Sequence, residues 1–188
     1  MSDITPVIPR QPVPPLSFPL VGGGAWSVAE ARPERFTMVV FYRGLHCPIC
    51  KTYLGGLKRL VPEFEKRGVE VVVTSTDDAE RAGRAKTDWQ LEGLTLGYGV
   101  PLADARRWGL YVSTSRGTTS AGIVEPERFA EPGIFLVRPD GTLYFAAIQT
   151  MPFARPRFED ILPALDFVIE KGYPARGEVV TVASDVAA

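Results

Sequence analysis

Hydrophobic positions along the chain fall into blocks whose period changes between strand and helix. Phe36-Thr37-Met38-Val39-Val40-Phe41-Tyr42 is a near-continuous apolar and β-branched run of strand length, the pattern of a strand buried on both faces. It runs without delay into Cys47-Pro48, after which Leu54, Leu57, Leu60, Val61 and Phe64 recur with helical spacing. Val69-Glu70-Val71-Val72-Val73-Thr74 predicts a second buried strand, and Asp77 is placed to cap a polar helix running towards Trp89. The interval from Leu94 to Leu110 is mixed, with a helical turn at Asp104-Ala105-Arg106-Arg107-Trp108 closed by Gly109, and a polar loop is expected from Ser113 to Ser120. Arg106 and Arg107 read as a solvated face, Trp89 and Trp108 as core anchors.

The second half changes order. Ile134-Phe135-Leu136-Val137 and Leu143-Tyr144-Phe145-Ala146-Ala147-Ile148 flank Arg138-Pro139-Asp140-Gly141, whose length and Pro-Asp-Gly chemistry predict a hairpin. A last helix shows one apolar stripe, Phe158, Ile161, Leu162, Leu165, Val168 and Ile169, with Gly172 past its end. A β-α-β half thus precedes a β-β-α half, and buried strands with helices on both sides predict an α/β three-layer sandwich around a mixed sheet. Residues 1–20 carry Pro6, Pro9, Pro12, Pro14, Pro15 and Pro19, which excludes helix and central strand and predicts an extended arm. Leu16, Phe18 and Leu20 alternate so that one edge of that arm can be buried, on this body or on a partner subunit. Residues 21–172 then form the domain, and residues 173–188 a tail in which Val179 to Val182 are expected to pair as a short strand.

Composition narrows the function. The 188 residues are 45% hydrophobic and 23% charged, with 21 Lys and Arg against 22 Asp and Glu, a balance that lacks the positive field nucleic-acid binding needs. No apolar run reaches the roughly 18–20 residues of a membrane span, and the start has no basic region followed by an apolar stretch. The expectation is a cytoplasmic protein with no membrane contact. Only 2 cysteines are present, both within Cys47-Pro48-Ile49-Cys50, too few for a disulfide framework and placed as a redox pair.

A helix onset gives such a pair its chemistry. The first turn offers unpaired N–H groups and the positive end of the helix dipole, which stabilise a thiolate. Pro48 suits the first helical position, where its missing N–H costs nothing. Residues three apart on a helix lie about 5–6 Å from one another, within the reach of a disulfide. Arg43, His46 and Lys51 are the nearby candidates for lowering a sulfur's pKa. His46 is the only histidine, and three Cys and His in one stretch fall short of the roughly four ligands of a structural zinc site, so no metal and no bound cofactor are expected.

Phe41-Tyr42-Arg43-Gly44-Leu45-His46-Cys47-Pro48-Ile49-Cys50 and Glu131-Pro132-Gly133-Ile134-Phe135-Leu136-Val137-Arg138-Pro139-Asp140-Gly141 resemble the thioredoxin superfamily. More closely, the chain resembles the peroxiredoxin-like branch of the alkyl hydroperoxide reductase/thiol-specific antioxidant family over about Val21 to Gly172, including Met151-Pro152-Phe153-Ala154-Arg155. The resemblance implies a thioredoxin-like fold, a cis peptide at Pro132 that shapes the substrate groove, and an arginine near the site at Arg155. Laid on the family's Pro-x-x-x-Thr-x-x-Cys motif, the peroxidatic cysteine falls on Cys50, the threonine on Cys47 and the proline on Arg43, while the peroxide-activating arginine falls on Pro132. Arg43 and Arg155 are the candidates to replace it.

Two enzymatic readings share this site. In thiol–disulfide exchange, an exposed low-pKa Cys47 attacks a protein or small-molecule disulfide and Cys50 resolves the mixed disulfide; this is the primary expectation. In the alternative, Cys50 attacks a small hydroperoxide, Cys47 condenses with the sulfenic acid, and a thioredoxin-type reductant reopens the disulfide. A third reading is a redox-responsive binding module, and the arm with the sheet edge leaves a homodimer open.

Overall fold

The computed structural model describes residues 5–181. Two short strands, β1 (Ser17–Pro19) and β2 (Ala25–Ser27), pair antiparallel ahead of β3 (Phe36–Phe41), α1 (Pro48–Glu65) and β4 (Val69–Thr74). Then come α2 (Ala79–Asp88), β5 (Thr95–Leu96), α3 (Leu102–Arg107), β6 (Val112–Thr114), β7 (Arg128–Ala130), β8 (Gly133–Val137), β9 (Leu143–Ile148) and α4 (Phe158–Lys171). The central sheet has five strands in the order β5-β4-β3-β8-β9. β3 lies parallel to β4 and antiparallel to β8, with Val39 opposite Val72 on one side and Phe135 on the other. This is the mixed sheet of a thioredoxin-like α/β fold.

Alternation along β3 builds two cores, because successive side chains leave a strand on opposite faces. Phe36, Met38 and Val40 face a cluster containing Leu54, Leu57 and Phe64 of α1, and Ile161 and Leu165 of α4. Val39 and Phe41 face the other side, where Trp108, Leu110, Phe135 and Val137 pack with Leu16, Phe18 and Trp26. Both predicted helical stripes are therefore the buried faces of their helices. The Pro-Asp-Gly hairpin forms as read, with Gly141 at φ +78°, and Gly172 closes α4 in the left-handed conformation at φ 57°.

The proline-rich segment straps the second face of the sheet. Arg10 and Gln11 exchange backbone hydrogen bonds with Leu143 on the outer edge of β9, and Val21 N–H donates to Leu96 on the edge of β5. Between these ties Leu16 is 2% exposed and Phe18 3%. Gly97 makes room for the Phe18 ring, since a Cβ there would lie 2.2 Å from its Cδ2. Both open edges of the sheet are thereby partly covered, a common protection against edge pairing.

Four expectations change. Asp77 does not cap α2; Asp78 does, accepting the Arg81 N–H at 2.8 Å, while Asp77 turns inward. The polar stretch from Ser113 opens inside β6, which pairs with β7; strands of two or three residues, β5 included, are too short to show a period. Val179 and Val180 are two-thirds exposed and lie in no strand, and Val182 lies outside the described residues. Among the described residues no cis peptide occurs, so Pro132 is trans.

Because Phe18 fills the second core, Phe18→Ala is expected to destabilise the protein by about 3–5 kcal/mol. Urea unfolding checks this, with a lowered midpoint at an unchanged denaturant slope.

Candidate active site

The site sits where β3 hands the chain to α1. Cys47 is the N-cap residue, with extended backbone (φ −97°, ψ 102°), Pro48 opens the helix, and Cys50 falls in its first turn. The Cys47 Sγ accepts the Cys50 N–H at 3.3 Å, doing the work a serine or aspartate oxygen does at other helix starts. The two sulfurs are 2.6 Å apart and unbonded, so closing a disulfide needs little backbone movement.

Arg155 arrives from the loop before α4. Its Nη2 lies 3.4 Å from the Cys50 Sγ and 3.9 Å from the Cys47 Sγ. The guanidinium rests over the Tyr53 ring, 5.1 Å from its centroid, and the Tyr53 hydroxyl donates to the Pro156 carbonyl in the same loop. Tyr53 thus holds both the cation and the backbone that carries it. Arg155 Nε and Nη1 are buried without hydrogen-bond partners among the described residues.

These contacts split the two thiols. The Cys50 thiol hydrogen bond is the largest influence on Cys47 and, with the Cys50 N–H, Arg155 and Arg43, it outweighs burial and brings Cys47 down to about 6. Burial, followed by the proton it shares with Cys47, pushes the Cys50 thiol up. Near neutral pH the pair holds one proton and one negative charge. The low-pKa sulfur expected at Cys47 is present, but it is fully buried, which corrects the expectation that it is exposed.

His46 takes a different part from the one expected, whereas Arg43 does help lower Cys47. His46 is 0% exposed, lies 4.5 Å from the Phe129 ring, and is pulled down to about 3 by burial, then by Arg43 and Arg81. It is neutral and cannot supply positive charge to the thiols. Arg43 sits over the same Phe129 ring, 4.7 Å from its centroid, and pairs with Glu131 at 3.2 Å and Glu125 at 3.7 Å. Two carboxylates balance its charge, so Arg155 is the guanidinium left facing the sulfurs. Pro132, next to Glu131, is buried, and its carbonyl accepts the Gln149 N–H at 3.1 Å. Lys51 is exposed. Among the described residues no three His, Cys, Asp or Glu side chains converge as a metal site requires.

Tyr53, Glu125 and Asp77 were not singled out as site residues from the sequence. Tyr53 carried a usable signal, since it stands three residues from Cys50 on the same helical face. Glu125 and Asp77 reach the site only through tertiary packing.

A sequence model of the AhpC/TSA family matches residues 9–146. The chain belongs to that family. Among similar proteins, the 1-Cys peroxiredoxin of Dirofilaria immitis is 26% identical over 171 residues, covering 81% of this chain and 65% of that protein. The 1-Cys peroxiredoxin of Dictyostelium discoideum is 28% identical over 149 residues, covering 77% of this chain and 53% of that one. This AhpC/TSA member therefore spans less than two thirds of the length of these relatives. Its fold matches the reduced 2-Cys peroxiredoxin of Plasmodium vivax with TM-score 0.70 at 14% identity, covering 94% of this chain and 92% of that one. Peroxidoxin BcpB of Mycobacterium tuberculosis matches with TM-score 0.66 at 16% identity, covering 86% and 98%. The chain is a peroxiredoxin-like member of the thioredoxin superfamily. Among the described residues no helix is long and apolar enough to cross a membrane.

The thiol split predicts a titration. Cys47 lies below its ordinary value of 9.0, so the stability its thiolate contributes is complete above about pH 9 and is lost as pH falls through about 6. Thiolate absorbance against pH is expected to show one midpoint near 6. Cys50→Ala is expected to raise that midpoint further than Arg155→Met, following the order of their influence on Cys47.

Proposed function

We propose that this protein is a thiol-dependent peroxidase in which Cys50 attacks a small hydroperoxide and Cys47 resolves the product. The observation that carries this reading is Arg155 Nη2 within 3.4 and 3.9 Å of the two sulfurs, with two further buried donors unpartnered on the same guanidinium. Membership of the AhpC/TSA family supports it. Burial of both sulfurs supports it too, because a hydroperoxide needs a far smaller opening than a protein disulfide. The exchange reading, which needs Cys47 exposed, draws no such support.

At rest the charge lies on Cys47 and the proton on Cys50. Transfer of that proton across the 2.6 Å contact moves the charge to Cys50, the sulfur nearer Arg155. The Cys50 thiolate attacks the terminal peroxide oxygen; the S–O bond forms, the O–O bond breaks, and Arg155 stabilises the departing alkoxide. The Cys47 thiol gives its proton to that alkoxide, which leaves as the alcohol. Cys50 is then a sulfenic acid, and the Cys47 thiolate displaces hydroxide, which leaves as water on taking a proton from solvent. Two thiols are oxidised to one disulfide, and one hydroperoxide is reduced to alcohol and water. A dithiol reductant of thioredoxin type returns two electrons and two protons by exchange at the disulfide.

Rapid mixing of hydrogen peroxide with the reduced variants, followed by mass spectrometry of trapped sulfenic acid, tests the assignment. Cys47→Ser is expected to accumulate sulfenic acid on Cys50, and Cys50→Ser to react at least about a hundredfold more slowly. Faster oxidation of Cys47 in Cys50→Ser than of Cys50 in Cys47→Ser reverses the roles. Exchange with a disulfide substrate outrunning peroxide reduction in the unmodified protein overturns the reading.

A further inference from the structure

We propose that Asp77 is a positioning residue for the thiol pair, acting through the single peptide unit that joins Gly44 to Leu45. Its functional consequence rests on the peroxidase reading above. The Asp77 carboxylate is buried, 1% exposed as a residue, yet it performs no capping, which Asp78 supplies. Its Oδ2 accepts the Leu45 N–H at 2.7 Å, and its Oδ1 accepts Arg81 Nε at 3.0 Å.

The peptide whose N–H meets Asp77 is the one whose carbonyl meets the site. The Gly44 carbonyl accepts the Cys47 N–H at 3.1 Å, and Cys47 in turn receives the Cys50 N–H on its sulfur. A fixed acceptor on one side of a peptide holds its plane and polarises its carbonyl, strengthening the hydrogen bond on the other side. One chain of contacts therefore runs from Asp77 through a peptide to the Cys47 backbone and the thiol pair.

Gly44 is the residue this arrangement requires. It has φ +130°, and a Cβ there would lie 2.6 Å from Asp77 Oδ1 and 2.7 Å from Oδ2, closer than any side chain sits. The glycine admits the carboxylate, and Arg81 holds the carboxylate against the peptide. Ser75 adds a local restraint by accepting the Asp77 N–H at 3.2 Å.

Thiolate titration and peroxide rate constants, measured together with Tm, test this. Asp77→Ala is expected to raise the Cys47 midpoint by about one pH unit and slow hydrogen peroxide reduction about tenfold. Asp77→Asn keeps an oxygen for the Leu45 N–H and is expected to stay within about threefold of the parent rate. Val72→Ala, a cavity remote from the loop, should lower Tm and move neither readout. A fall in Tm alone for Asp77→Ala overturns the proposal, as does Asp77→Asn impaired as severely as Asp77→Ala. Hydrogen exchange on the unmodified protein tests it if Asp77→Ala does not fold. The Leu45 and Cys47 amides are expected to be as protected as those of α1, and rapid exchange of either overturns the proposal. Inertness of the unmodified protein to peroxide would overturn the peroxidase reading, while titration and exchange would still decide the role of Asp77.

Discussion

A negative charge inside a protein persists only when fixed donors replace the water it has lost, and the Cys47 sulfur is the group here that must meet that condition. It does so with the Cys50 N–H, the Cys50 thiol and Arg155. The first two come from the opening turn of α1, where a helix leaves N–H groups unpaired. The third comes from 108 residues further along the chain. The site therefore exists only once the second half of the fold has packed its last helix against α1.

The sheet supplies the frame for that meeting. β3 is buried along its whole length and carries α1 at its C-terminal end, so the cysteines start from a rigid strand. β8 lies against β3 with Gly133 opposite Phe41, which brings Glu131 and Pro132 to the level of the cysteine loop. The Arg43 ion pair with Glu131 joins these two strand ends across the loop. On the remaining side, α4 packs Phe158 against Tyr53 with ring centroids 4.3 Å apart, and the loop leading into α4 delivers Arg155. Each contact that shapes the site is thus an end product of core packing.

Charge is allocated as specifically as position. Three arginines approach the cysteine loop, but Arg43 faces Glu125 and Glu131, and Arg81 faces Asp77. Arg155 has no carboxylate partner among the described residues and turns its charge to sulfur. Its buried donors without partners among the described residues are tolerable next to a thiolate. His46, buried against Phe129, stays neutral because burial disfavours its charge, with Arg43 and Arg81 adding repulsion.

Much of this protein was legible in its sequence because much of it is local. Strand runs such as Phe36–Tyr42, the stripe from Phe158 to Ile169, the Pro-Asp-Gly turn and Pro48 behind Cys47 all act through neighbours within a few residues, and periodicity and capping report those interactions directly. The thiol pair at a helix start was readable on the same grounds. Only the tertiary structure decided that Asp77 turns inward and leaves the cap to Asp78, since two adjacent aspartates offer the same local signal. Only it decided that Cys47 is buried, that His46 is uncharged, and that Arg155 and not Arg43 faces the sulfurs. Those outcomes depend on desolvation and on partners tens of residues away, and a chain's local pattern carries no record of which distant charges will meet.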